Sequence, residues 1–232
     1  MDIFYLNLIN YKIIKLGVVN LPSKTFFNLP EERQEEIIQV AIKEFANQDF
    51  ESSSLNRIIN ELKIAKGSFY RYFNNKTDLY IFLIDYTLKK QLTYVTDFNP
   101  EEEQLDAITL SKKIVLHVLQ FDFMYYNHAS FLFYARKNSQ FKSYITMNRK
   151  EFIDMLDILQ DKKLIRMDLD KNIMIFYIFR NMVLLRDFII EKLNIPETEF
   201  SKGYAAYKKY ERSINEITEE YCDLLINGIK QR

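Results

Sequence analysis

The sequence predicts an all-α protein, on three observations. Gly and Pro number only four each in 232 residues, too few for the tight turns that an all-β fold repeats. Apolar residues recur three and four positions apart over long stretches, the period of a helix with one buried face. Helix-start residues stand ahead of those stretches, notably Ser54, Asn75 and the run Asp168 to Asp170. The length holds one large domain, or a small one and a medium one.

Residues 1–20 read MDIFYLNLINYKIIKLGVVN. The stretch is apolar, irregular in period and uncapped. It reads as an extension, or as a membrane-touching arm that lacks the basic face such arms carry. Residues 1–28 are therefore set apart as an N-terminal extension. From Leu29 the pattern clears. Pro30-Glu31-Glu32 opens a helix with acids in its first turn, and Ile37, Ile38, Ala41, Ile42, Phe45 and Ala46 carry it to about Asn47.

Ser52-Ser53-Ser54 supplies caps for a short second helix with the stripe Leu55, Ile58, Ile59 and Leu62. Lys63-Ile64-Ala65 is long enough only for a turn. A third helix covers Lys66 to Phe73, and residues 29–75 form the expected small domain. Asn75 caps a fourth helix with Asp78 in a capping-box-like position, a connecting segment over residues 76–98.

Asn99-Pro100 is the expected domain boundary. Helices are predicted beyond it at about Glu101–Tyr126, Ala129–Lys137, Gln140–Asp161, Ile173–Leu193 and Tyr207–Ile229, making residues 99–232 a larger helical domain.

Composition excludes several functions. Net charge is zero, so the chain is not a globally basic nucleic-acid binder. Between Ser52 and Lys76, however, Arg57, Lys63, Lys66, Arg71 and Lys76 face only Glu61, a local net of +4. That local field is what a phosphate partner meets. The single cysteine, Cys222, excludes an internal disulfide and reads as a small buried hydrophobe. No apolar run is long enough to span a membrane, and no secretory leader is evident, so a cytoplasmic protein is expected. His117 and His128 lack the partners and spacing of a metal site. No phosphate loop, zinc-protease motif or Cys/His pair is present. No catalytic residue, metal or cofactor is assigned.

The segment Ser53 to Lys76 has the layout of a helix-turn-helix. Its braced face is Leu55, Ile58, Ile59, Leu62, Ile64, Phe69 and Phe73, leaving Lys66, Ser68, Tyr70, Arg71 and Tyr72 outside. Cations and hydroxyls suit phosphate oxygens and base edges. Gly67, inside a short helix, costs about 1 kcal/mol relative to Ala. Close approach of a partner or a tight helix–helix contact would each account for it.

The run LKIAKGSFYRYFNNKTDL, Leu62 to Leu79, resembles the signature of the TetR family of transcriptional regulators. The whole of Glu31 to Leu88 is similar to that family's DNA-binding domain. The resemblance implies a three-helix helix-turn-helix domain followed by a larger helical domain for ligand binding and dimerisation. It implies that Ser54 caps the second helix and touches phosphate, and that Lys66 and Gly67 face bases in the major groove. Ser68, Tyr70 and Arg71 join that surface, Tyr72 stands where the family usually has His, and Lys76 holds phosphate. Two residues depart from the pattern. Lys63 replaces the usual turn Gly and must accept a strained or shifted turn. Ala65 replaces the usual Ser cap, at about 1 kcal/mol.

The resemblance also implies a homodimer through the last two helices, and the stripe Tyr207, Tyr210, Ile214, Ile217, Tyr221, Leu224 and Leu225 reads either as ordinary core or as core between subunits. A dimer matters because two recognition helices related by a two-fold axis read a palindrome. The expected function is a repressor of a double-stranded DNA operator, released by a small-molecule ligand. The alternatives are a helical protein-binding adaptor and a sensor that does not bind DNA. Candidate ligand contacts are His117, Phe121, Tyr125, Asn148, Phe152, Tyr177 and Arg180. Arg180 interrupts an apolar helix, so it either pairs with a buried carboxylate such as Asp122 or meets the ligand.

Overall fold

The computed structural model describes residues 22–95, 107–147 and 170–227, with single positions at 153, 157, 160, 161 and 168. The N-terminal stretch 1–20 and the Asn99-Pro100 boundary lie outside the described residues. Among those described there are eleven helices and no strand. They are α1 (Lys24–Phe27), α2 (Glu31–Ala46), α3 (Leu55–Glu61), α4 (Lys66–Tyr70), α5 (Lys76–Val95), α6 (Ala107–Met124), α7 (Tyr126–Lys137), α8 (Lys142–Met147), α9 (Lys171–Lys192), α10 (Glu197–Phe200) and α11 (Tyr204–Asn227).

The chain divides into two compact units. One comprises Met1–Thr87 with Ser130–Ile145, the other Leu88–Ala129 with Thr146–Arg232. The division differs from a simple split near residue 99, because the segment from Ser130 returns to the first unit. Packing explains the return. Phe131, Leu132, Ala135 and Phe141 are buried. Phe131 and Phe141 lie 4.9 and 4.5 Å from the Tyr80 ring, and Phe45 lies 4.8 Å away, edge-on. Each such ring pair adds about 0.5–1.5 kcal/mol beyond its buried area. Ser130 Oγ also donates to the Ala46 carbonyl at 2.7 Å, meeting one of the acceptors that a helix leaves open at its end.

The helix starts follow the capping chemistry. Ser54 Oγ accepts from the Arg57 N–H at 3.4 Å. Asn75 Oδ1 accepts from the Asp78 N–H at 2.8 Å. Asp170 Oδ1 accepts from the N–H groups of Asn172 and Ile173 at 2.9 and 3.0 Å. Two short elements, α1 and α10, are additional to the sequence expectation, and α4 ends at Tyr70 rather than Phe73.

In the second unit, α6 and α11 pack along each other. Ile114, Val115, Leu119 and Phe123 of α6 share a core with Ala206, Tyr207, Ile214 and Ile217 of α11 and with Leu185 and Ile189 of α9. Much of the α11 stripe is therefore core within the chain, one of its two expected readings. Tyr207, Ile214 and Ile217 are buried by the chain's own helices, and Tyr221 donates to Asn181 Oδ1 of α9 at 2.7 Å. The large apolar side chains left exposed lie mainly on α9 instead: Ile173, Phe176, Leu184 and Phe188. Cys222 is buried and burial pushes its thiol up.

Candidate nucleic-acid interface

The site is built on three short pieces of backbone. Helix α3 braces through Ile58, Ile59 and Leu62, all buried; Leu55 and Ile64 are half-buried. The turn that follows passes through Lys63 at φ 53. This is the left-handed region, which strains a residue with a Cβ. The turn then delivers α4 with Phe69 inward, 0% exposed, and Phe73 behind it, 2% exposed.

Those two anchors fix which residues point out. Lys66, Gly67, Tyr70 and Arg71 are exposed, and Ser68 and Tyr72 are half-exposed. Tyr70 is 45% exposed, a large ring left in solvent. An added Cβ at Gly67 would meet nothing within 4 Å. Among the described residues, a tight helix–helix contact is therefore not what Gly67 accommodates. Ala65, at the N-cap position, makes no side-chain cap bond.

The local charge is distributed unevenly. Arg57 is held by Glu44, Nη2 to Oε1 at 2.6 Å and Nε to Oε1 at 3.0 Å. Lys43 pairs with Glu61 at 3.0 Å. Burial pushes the Glu44 carboxyl up, but bonds from Arg57, the Ser54 N–H and Gln48 outweigh it and leave the group below the usual carboxylate range. Glu44 thus joins α2 to the cap of α3. Among the described residues, Lys63, Lys66 and Arg71 have no carboxylate partner, so their positive charge faces solvent.

Lys76 sits differently from the expectation that it holds phosphate. Its Nζ donates to the carbonyls of Phe50 and Ser53 at 2.6 and 3.1 Å and lies 4.3 Å from the Phe50 ring centroid. The start of α5 is thereby tied to the chain just before the Ser54 cap. A phosphate would have to use the remaining N–H or draw the ammonium away. Ser54 itself is half-buried, its hydroxyl engaged by the Arg57 N–H.

A family model described as "Bacterial regulatory proteins, tetR family" matches residues 37–81. That span covers α2 from Ile37, all of α3 and α4, and the start of α5. The full fold is similar to a crystal structure of a TetR family transcriptional regulator from Chloroflexus aurantiacus, with a TM-score of 0.66 and 25% identity over 92% of this chain and 100% of that one.

Residues 37–81 are a tetR-family segment, and the fold is that of a TetR family regulator.

Relatives agree over shorter stretches. The uncharacterized HTH-type transcriptional regulator YuxN of Bacillus subtilis is 37% identical over 65 residues, 28% of this chain and 22% of YuxN. The HTH-type transcriptional regulator SAB2452 of Staphylococcus aureus is 33% identical over 91 residues, 39% of this chain and 48% of that protein. These matches span under half the length of either relative.

The first unit carries the DNA-facing candidates; the described ligand candidates fall in the second. His117, Phe121 and Tyr125 converge there on Tyr94, at ring distances of 6.1, 5.8 and 5.8 Å. The sequence reading missed Tyr94, and also Lys90, whose Nζ stands 4.6 Å over the Tyr125 ring. Both come from α5, remote in sequence from the others. Tyr177 and Arg180 fall on α9, but their side chains are outside the described set, as are Asn148 and Phe152. Asp122, 3% exposed, is ion-paired with Arg186, six residues beyond Arg180. The buried carboxylate suggested for Arg180 therefore has another partner. Among the described residues no group of three metal-ligating side chains occurs, and no helix is long and apolar enough to cross a membrane.

Proposed function

We propose that this chain is a tetR-family DNA-binding transcriptional regulator that reads a palindromic operator as a homodimer and is released from it by a small molecule. The observation that carries the DNA-binding part is the open face of α4. An unobstructed Gly67 lies between Lys66 and Ser68, with Tyr70 and Arg71 in solvent. A backbone without a Cβ lets a duplex approach closely, and the cations and hydroxyls around it match phosphate oxygens and base edges.

The dimer rests on α9. Ile173, Phe176, Leu184 and Phe188, three, eight and four residues apart, lie on one side of the helix and are about half to two-thirds exposed. The stripe is roughly 22 Å long, and exposed apolar surface of that extent marks an association site. Tyr204 and Leu224 add exposed apolar surface on α11. The ligand part rests on the aromatic box of Tyr94, His117, Phe121 and Tyr125 in the second unit. Release by ligand is then a shift between two populated arrangements of the dimer.

A gel-shift titration tests the reading. The full chain is titrated against the duplex upstream of its own gene and against a scrambled duplex. Retardation of the first at lower protein concentration, weakening steeply with salt, is the expected result. Equal retardation of both, or of neither, contradicts it.

A further inference from the structure

The recognition helix has little stability of its own. It is five residues long, lacks a side-chain cap and holds Gly67 in its first turn. A helix of that length does not form alone, so its direction is imposed by what touches it. Phe69 and Phe73 hold its inner side. Its exit is held by the chain ahead of α2.

Ser23 makes two bonds there. Its N–H donates to the Tyr72 carbonyl at 2.9 Å, and its Oγ donates to the Arg71 carbonyl. Three residues on, Phe26 is 1% exposed. Its ring lies 5.1 Å from Phe73, 5.5 Å from Phe82 and 6.3 Å from Tyr72. This lead-in is in turn fixed to α2, because Gln34 Nε2 donates to the carbonyls of Leu29 at 2.8 Å and Phe27 at 3.3 Å. A continuous run of bonds therefore leads from α2 through residues 23–29 to the backbone of Arg71 and Tyr72. Ser23, Phe26 and Gln34 all precede the residues that the family model matches, 37–81.

We propose that Ser23 and Phe26 are positioning residues for DNA recognition, setting the angle at which Tyr70, Arg71 and Tyr72 meet a duplex. The inference rests on the DNA-binding reading above. Its physical basis is a difference in tolerance. A base-edge contact needs a side chain placed within hydrogen-bond geometry, whereas phosphate attraction survives small rotations. Loosening the exit of α4 should therefore cost sequence preference more than general affinity. Arg71 is exposed, so the carbonyl freed by Ser23→Ala can meet water and stability changes little, whereas Phe26→Leu, in the core, also lowers the melting temperature.

The test uses the full chain and two duplexes. One is selected by the wild type from a random-sequence library, and the other is a scrambled duplex of the same length and composition. Dissociation constants at one salt concentration and melting temperatures are measured for wild type, Ser23→Ala, Ser23→Thr and Phe26→Leu. The expected result is that Ser23→Ala and Phe26→Leu reduce the preference ratio about tenfold, the size of one degraded base contact, and that Ser23→Thr, which keeps the hydroxyl, retains it. A ratio within about twofold of wild type in both variants, a parallel loss on both duplexes, or failure of Ser23→Thr to retain the preference overturns the inference. If the wild type itself selects no duplex, the DNA-binding reading fails and takes this inference with it.

Discussion

The two units expose surfaces of opposite chemistry. On the first, the open face of α4 is polar: Lys66, Ser68, Tyr70 and Arg71 around a bare Gly67. On the second, the open face of α9 is apolar: Ile173, Phe176, Leu184 and Phe188. A cationic, hydroxyl-bearing surface is stable in water and gains by meeting phosphate. An apolar stripe of that length is costly in water and gains by meeting another apolar surface. The contrast fits the proposed function, with nucleic acid on one face and a second copy of the chain on the other.

The contrast breaks first at α4. Replacing both Lys66 and Tyr70 by Ala should weaken operator binding by about 100-fold or more, the sum of two lost contacts. Sedimentation and thermal melting should remain as in wild type. If dimerisation or stability falls with affinity, the face is structural and the assignment fails. Replacing Phe176 and Phe188 by Asp should do the reverse. The dimer should loosen by about 2–4 kcal/mol, as for loss of buried aromatic anchors, with the melting of each unit preserved. Sedimentation equilibrium reads this directly, and an unchanged mass at micromolar concentration contradicts it.

Smaller effects lie in the first unit's core. The Tyr80 hydroxyl is buried and has no hydrogen-bond partner among the described residues. Burial, with the nearby Asp49 charge, pushes its pKa well above the ordinary 10.0. The unfolded chain then releases this proton from about pH 10 while the folded chain keeps it. Its contribution to stability is full below that pH and is lost as pH climbs toward the folded value. Tyr80→Phe should raise stability by about 1 kcal/mol at neutral pH and flatten the alkaline fall. Denaturant unfolding at pH 7 and above 10 checks both parts. Lys63→Gly should add about 1 kcal/mol by relieving the positive φ; a loss on urea unfolding would show that the Lys63 side chain contributes more than its strain removes.

Much of this was legible in the sequence, and the residues show why. Ser54, Asn75 with Asp78, and Asp170 cap helices, because capping is local chemistry between residues two or three apart. The strain at Lys63 and the missing cap at Ala65 are local too. What escaped was long-range. The period of α11 says that one face is buried, but not that α6 buries it. Glu44 holds Arg57 across thirteen residues, and Lys76 turns to Phe50 and Ser53 across more than twenty. The lead-in around Ser23 and Phe26 is too short for any period to register. Tyr94 joins the aromatic box from a separate helix, and the sequence reading did not place it there.

If the open face of α4 lets a duplex come close, Gly67→Ala shows it through two readouts of opposite sign. The methyl group meets no neighbour within 4 Å and favours helix, so unfolding free energy should rise by about 0.5–1 kcal/mol. The same methyl stands between backbone and DNA, so operator affinity should fall by about tenfold. A variant that is more stable and binds its operator as tightly as the wild type would contradict the account.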